Sequence, residues 1–203
     1  MNNSPFQLFL TNNSPRSARA VFRGLLILTL CFAFLAGSVH SASAYDLTKV
    51  KNASFEKDTN GDGIPNAWVP TDLSAADKRV CNQSYAGSCS YRMVGDGIGK
   101  YLHQNTLYSS GPAGIIATLS VWTKGNAIDL GGGYARLILS FNWTGGGSNG
   151  CYINIPAGSS PWTFREVSCD ADQAFDVMSI YLETDADSGK MWFDKVKLVA
   201  APP

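Results

Sequence analysis

Polar and apolar residues alternate with a period of two along much of this chain. The pattern is clearest over 134–143, where Ala135, Leu137, Leu139 and Phe141 fall on one side and Tyr134, Arg136, Ser140 and Asn142 on the other. Successive side chains of a strand point to opposite faces, so this alternation predicts a strand with one face buried. Similar alternation, or a run rich in β-branched and aromatic residues, predicts further strands over 90–94, 100–107, 115–124, 151–155, 162–169, 175–183 and 190–199. A first strand is expected over 47–55, and a helical turn over 74–81. Glycine-rich breaks at 95–99, 111–114, 131–133 and 144–150 punctuate the series. There is no amphipathic helix of useful length and no internal repeat. Eight or nine short strands predict an all-β chain in which two sheets pack as a β-sandwich, and Greek-key connections would make it a jelly roll.

Residues 1–44 break the pattern. Arg16, Arg19 and Arg23 precede an apolar run over 24–37, and Ala42, Ser43 and Ala44 follow. This is the layout of a cleaved signal peptide, which leaves a single domain over 45–203 in a secreted, extracellular or cell-surface protein. The run is shorter than the roughly 20 residues of a membrane span. The whole chain has 16 basic and 16 acidic residues, three of the basic ones in the leader, so 13 against 16 remain and the net charge is −3. That balance argues against a nucleic-acid partner, and with no long charge run a membrane surface is not suggested either.

Cys81, Cys89, Cys151 and Cys169 remain after the leader, an even count that predicts two disulfides in an exported chain. Three pairings are open. Cys81–Cys89 closes a short loop. Cys151–Cys169 follows if 151–155 and 162–169 fold back about Ser159 and Ser160 as one antiparallel pair. No Cys-x-x-Cys spacing suggests zinc.

Candidate chemistry lies first in 58–64. Asp58, Asn60 and Asp62 place oxygen side chains at alternate positions, Gly63 allows a sharp turn, and the Ile64 carbonyl can follow. This is the first half of an EF-hand-like Ca²⁺ loop. Val69 stands where the closing Glu would be, and Pro65 forbids an exit helix. The remaining oxygens would come from elsewhere, with Glu56 and Asn66 as candidates. A metal-free Asn/Asp/Gly turn cluster is the alternative. His103 is the one histidine of 45–203 and has no nucleophile motif beside it, so the chain reads as non-catalytic.

Three stretches carry a resemblance: Asn-Ala-Ser-Phe-Glu at 52–56 with the Gly-Ile-Pro-Asn-Ala-Trp ending at 63–68, Thr-Leu-Ser-Val-Trp-Thr-Lys at 118–124, and Ser-Gly-Lys-Met-Trp-Phe-Asp-Lys-Val-Lys-Leu at 188–198. The chain resembles the jelly-roll carbohydrate-binding modules found beside bacterial cellulases and xylanases, with a galactose-binding-like β-sandwich. The resemblance implies a structural Ca²⁺ where the first and last strands meet, held by Glu56 and Asp194. It also implies a poly- or oligosaccharide partner, including glycans of a cell surface. Disulfides are not a general feature of such modules. Asp194 alternates in phase with Trp192, Val196 and Leu198, and a carboxylate on so apolar a face needs a cation or hydrogen bonds. Trp192 is assigned to the core.

A sugar needs aromatic platforms beside amides, carboxylates or Arg. Tyr134, Arg136 and Asn142 on one strand, Tyr181 and Glu183 on another, and Trp122 on a third have that mixture. They would line one groove if the three strands were neighbours in one sheet. A structural or adhesive module that binds protein or self-associates is the alternative use of the same sandwich.

Overall fold

The computed structural model describes residues 50–108 and 110–201. The leader expected over 1–44 and the start of the strand expected over 47–55 lie outside them. Among the described residues ten strands form two five-stranded antiparallel sheets. One has the order β1 (Val69–Thr71), β4 (Lys100–Tyr108), β9 (Phe175–Thr184), β6 (Ala135–Trp143), β7 (Ser148–Asn154). The other has the order β2 (Lys78–Val80), β3 (Ser90–Val94), β10 (Ser188–Ala201), β5 (Ile116–Asp129), β8 (Gly158–Asp170). They are called the β9 sheet and the β10 sheet after their central strands. From β3 onward the chain crosses from one sheet to the other at every step except the β6–β7 hairpin. This is the two-sheet sandwich that the alternating pattern predicts.

Each strand turns its apolar side inward. Leu102, Leu182 and Leu137 lie side by side across β4, β9 and β6, and all three are fully buried. Met93, Met191, Phe193, Val121 and Leu119 form the facing layer. Burial of each such side chain contributes about 1.5–3 kcal/mol. Phe55 packs against Trp68 and Tyr91, with ring centroids 5.1 and 5.8 Å away.

Four local expectations are corrected. Residues 50–55 form turns, not a strand: Asn52 and Phe55 take left-handed φ values of 49° and 56°. The Asn52 side chain holds the bend by accepting from the Lys57 N–H and donating to the Lys57 and Asn66 carbonyls. The helical turn expected over 74–81 is a Ser74–Asp77 turn that runs into β2, because Asp77 caps the Ser74 N–H and hydroxyl. Cys151 does pair with Cys169, and Cys81 with Cys89. Yet β7 and β8 are no hairpin: they are edge strands of opposite sheets, so this disulfide ties the two sheets together along one side. Finally, Asp194 does not share a face with Val196 and Leu198. A bulge at Lys195, with φ 49°, shifts the β10–β5 register by one residue. Trp192 and Asp194 therefore face outward, while Phe193, Val196 and Leu198 face inward.

Two buried polar residues stand out. Lys100, 1% exposed, donates to Asp77 at 3.0 Å and to Asp96 at 2.7 Å. Asp77 also accepts from the Val94 N–H. Lys100→Met would strand Asp77, so chemical denaturation should show a loss of about 3–5 kcal/mol. The exposed Lys57→Met should stay within about 0.5 kcal/mol. His103, 8% exposed, lies between Tyr101 and Tyr181, and its Nδ1 has no partner among the described residues. Burial pushes its pKa below 6.5. The unfolded chain then binds the extra proton, so stability falls as pH drops below 6.5. His103→Gln should make the melting temperature less sensitive to acidification from pH 7.5 to 5.5; an unchanged slope would refute this.

Candidate functional site

The outer face of the β9 sheet gathers most of the expected ligand residues. β6 turns Arg136 and Ile138 outward, with Tyr134 just before it, and β9 turns out Tyr181 and Glu183. Register then places Arg136 opposite Glu183 and Ile138 opposite Tyr181. On the far side of β9, β4 sets Tyr101 against Glu183 and His103 against Tyr181. On the far side of β6, β7 sets Tyr152 against Ile138. Two rows therefore cross the sheet, Tyr101–Glu183–Arg136 and His103–Tyr181–Ile138–Tyr152.

The first row is a charged network. The Tyr134 hydroxyl donates to Glu183 Oε1 at 2.5 Å, and Arg136 donates to both Glu183 oxygens at 3.3 Å. The guanidinium sits 3.9 Å from the Tyr134 ring centroid and 5.5 Å from that of Tyr152. The hydrogen bond to Glu183, then burial and the nearby carboxylate charge, push the Tyr134 pKa up to about 12. Its hydroxyl thus stays protonated and keeps donating. The second row is aromatic: Tyr181 stacks on His103 at 5.4 Å and meets Tyr101 edge-on at 5.6 Å. Tyr152 is 53% exposed, and Tyr181 is partly open. Apolar ring faces next to a carboxylate and a guanidinium suit a ligand with both C–H surfaces and hydroxyls.

Asn142 lies on the same face but six residues from Arg136 along β6, about 20 Å at strand rise, so it stands apart from the cluster. Trp122 is a correction: it is on β5, in the other sheet, because consecutive strands alternate between sheets. There it stacks on Tyr85, 3.6 Å between centroids, and packs against Phe164 at 5.6 Å. Trp192 is buried but outside the core, on this same outer face. Tyr101, His103 and Tyr152 were missed. Alternation in 100–107 sets Tyr101 and His103 opposite Leu102, but only strand order brings β4 and β7 to the site.

The oxygen-bearing residues fall in two places. In the 58–64 loop, Asp58 accepts from the Gly61 and Gly63 N–H groups, Asp62 from the Ile64 N–H, and the Asn60 amide donates to Asp62 at 2.7 Å. These bonds close the loop on itself. Elsewhere, Glu56 and Asp194 hold one segment from two sides. Glu56 accepts from the Ser88 and Cys89 N–H groups, and Asp194 from those of Tyr85 and Ala86. Asp194 is fully buried. Burial and then the Glu56 charge raise its pKa against three backbone hydrogen bonds. Two hard carboxylates that repel each other suit Ca²⁺ chemically. Among the described residues no cluster of three or more His, Cys, Asp or Glu side chains forms a metal cage.

No protein-family model and no curated protein matches the sequence. Solved structures do match in fold. A family 16 carbohydrate-binding module aligns with TM-score 0.51 and 17% identity, over 68% of this chain and 96% of its own. A CBM22-1 xylan-binding domain from Paenibacillus barcinonensis aligns with TM-score 0.51 and 13% identity, over 74% and 93%. The enzymatically active domain of tailspike protein 4 of bacteriophage CBA120 aligns with TM-score 0.54 and 16% identity, over 75% of this chain but only 21% of its own. The chain therefore shares the two-sheet sandwich fold of carbohydrate-binding modules.

Proposed function

We propose that this protein is a non-catalytic carbohydrate-binding module, exported from the cell, that holds oligo- or polysaccharide on the outer face of the β9 sheet. The observation that carries the reading is the pair of rows across β4, β9, β6 and β7. Tyr181, Tyr101 and Tyr152 supply ring faces for sugar C–H groups, while Arg136 and Glu183 supply a donor and an acceptor for hydroxyls. A fold shared with carbohydrate-binding modules supports it. The two disulfides are compatible with an extracellular location. The same chemistry serves soluble glycans, insoluble polymers and glycans displayed on a cell surface.

A second reading, a module that binds protein or itself, is favoured by β8. This 13-residue strand is an edge of its sheet and exposes Phe164 by 48%. An open edge of that length is a template for another strand.

Retention on insoluble polysaccharides and on a glycan array tests the first reading. Tyr181→Ala should weaken retention roughly tenfold or more, as loss of a central aromatic contact does. Trp122→Ala, on the opposite sheet, should leave retention on neutral glycans unchanged. If neither panel retains the protein and sedimentation shows dimers or larger species, the second reading replaces the first.

We also propose that Ca²⁺ binds between Glu56 and Asp194 and stabilises the fold. Bound at about 100 times its dissociation constant, it contributes about 2.7 kcal/mol. Chelation with EDTA should thus lower the melting temperature by roughly 5–10 °C. The shift should vanish in Glu56→Gln and persist in Asp58→Asn. An EDTA-insensitive melting temperature in the unaltered protein would rule the ion out.

A further inference from the structure

The outer face of the β10 sheet carries an open cleft of about 690 Å³ between Gln83 and the start of β8 at Ser159–Pro161. We propose that it binds the anionic group of an acidic saccharide, a uronate carboxylate or a sulfate ester, as a second site distinct from the β9 face.

Three cations line the cleft: Arg92, Lys124 and Lys190. Register explains their proximity. Arg92 on β3, Trp192 on β10 and Lys124 on β5 lie in one row across the sheet, and Lys190 lies two residues along β10 on the same face. No carboxylate lines the cleft. Among the described residues none of the three is in an ion pair; the ion pairs there involve Lys100 and Arg136. Like charges on neighbouring strands repel, and this chain has as many acidic as basic residues to offset them. Instead two of the cations are held in place by neutral groups. Lys124 donates to Gln83 Oε1 at 2.6 Å and lies 5.6 Å from the Trp192 ring centroid. Arg92 donates to the Ala76 carbonyl through Nε and Nη2. An anion in the cleft would relieve the repulsion.

A second observation points to a ligand independently of charge. Trp192 is only 7% exposed and lines the cleft, and its Nε1–H has no hydrogen-bond acceptor among the described residues. Buried donors are mostly paired, so a buried orphan on a residue that lines the cleft leaves a place for an acceptor from a ligand seated there. An oxygen of a carboxylate or sulfate among the three cations supplies one.

The neighbourhood favours a saccharide over a bare ion. The volume lies in the range of organic-ligand sites and far exceeds one inorganic anion. Two residues along β5 from Lys124, on the same face, stands the Trp122–Tyr85 stack, flanked by exposed Phe164 and by Trp162 at 6.3 Å from Tyr85. Those rings give pyranose C–H faces a platform next to the charged cleft. The saccharide class rests on the carbohydrate-binding reading above; the anion site rests on the cleft alone.

Titration calorimetry decides it, with trigalacturonate, its methyl ester, a sulfated glycosaminoglycan disaccharide, neutral polysaccharide fragments and inorganic sulfate as probes. One or both acidic saccharides should bind, and which of them does separates carboxylate from sulfate ester. Added salt should weaken that binding. The methyl ester, and the Lys124→Gln/Lys190→Gln variant, should bind roughly tenfold more weakly or worse. Trp192→Phe keeps the ring but loses the donor. It should weaken acidic-saccharide binding severalfold while retention of neutral glycans on the β9 face is unchanged, which a merely structural tryptophan would not show. Tyr181→Ala should leave acidic-saccharide binding intact. Equal affinity for acid and ester, or acidic binding lost in Tyr181→Ala but kept in the lysine variant, would overturn the second site. Inorganic sulfate binding as tightly as the saccharides would overturn the saccharide. Neutral fragments binding with no acidic probe retained would sink this inference and leave the β9-face reading standing; the reverse result would sink that reading alone.

Discussion

Burial of the inner faces of two sheets against each other is the constraint on which the rest depends. A strand has two faces, and in this molecule one face of nearly every strand is committed to the shared interior. Leu102, Leu182 and Leu137 from one sheet and Met93, Phe193 and Val121 from the other are all fully buried. Whatever the protein recognises must therefore be recognised by the outward residues, at alternate positions, or by the loops. The charged and aromatic rows on the β9 sheet are the outward half of the alternation that builds the core. A one-residue insertion or deletion that reversed the phase of β6 or β9 would empty the site and unpack the interior together.

The bulge at Lys195 is where that rule is suspended to use. Without the extra residue, Asp194 would share a face with Val196 and Leu198 and enter the apolar interior unpaired. With it, Asp194 faces outward beneath the 84–89 segment and takes two of that segment's N–H groups, while Glu56 takes two more. The Cys81–Cys89 disulfide closes the same segment covalently. A loop that would otherwise be free to leave the sheet is pinned at several points. Gln83 and Tyr85 are thereby positioned against Lys124 and Trp122. The carboxylates shape the outer face of the β10 sheet without touching the cleft there.

The two outer faces differ in how their charges are satisfied. On the β9 sheet, Arg136 is answered by Glu183, and Tyr134 completes the network, so the face is close to neutral and preorganised. On the β10 sheet, three cations lie near an orphan indole donor, and two of them, Arg92 and Lys124, are met by a carbonyl and an amide. Both faces border aromatic rings. The same sandwich thus presents one surface suited to hydroxyls and another suited to negative charge.

The period-two alternation was enough, by itself, to declare the class of fold. A sequence in which Ala135, Leu137, Leu139 and Phe141 alternate with Tyr134, Arg136, Ser140 and Asn142 has one low-energy use for its backbone, and glycine-rich breaks say where it turns. The inward or outward sense of Tyr134, Arg136, Tyr181 and Glu183 was legible for the same local reason. Strand order was not. Alternation says which way Trp122 points within its strand but not which sheet that strand joins, so a groove that included it could be drawn on paper and not in space. Tyr101, His103 and Tyr152 reach the site only through pairings between segments far apart in the chain. The bulge that turns Asp194 outward, and the crossing of Cys151–Cys169 between sheets rather than along a ladder, depend likewise on which neighbour each strand finds. Those choices are made by the packing of the whole, because hydrogen-bond ladders and buried area are gained between segments whose adjacency no local pattern encodes.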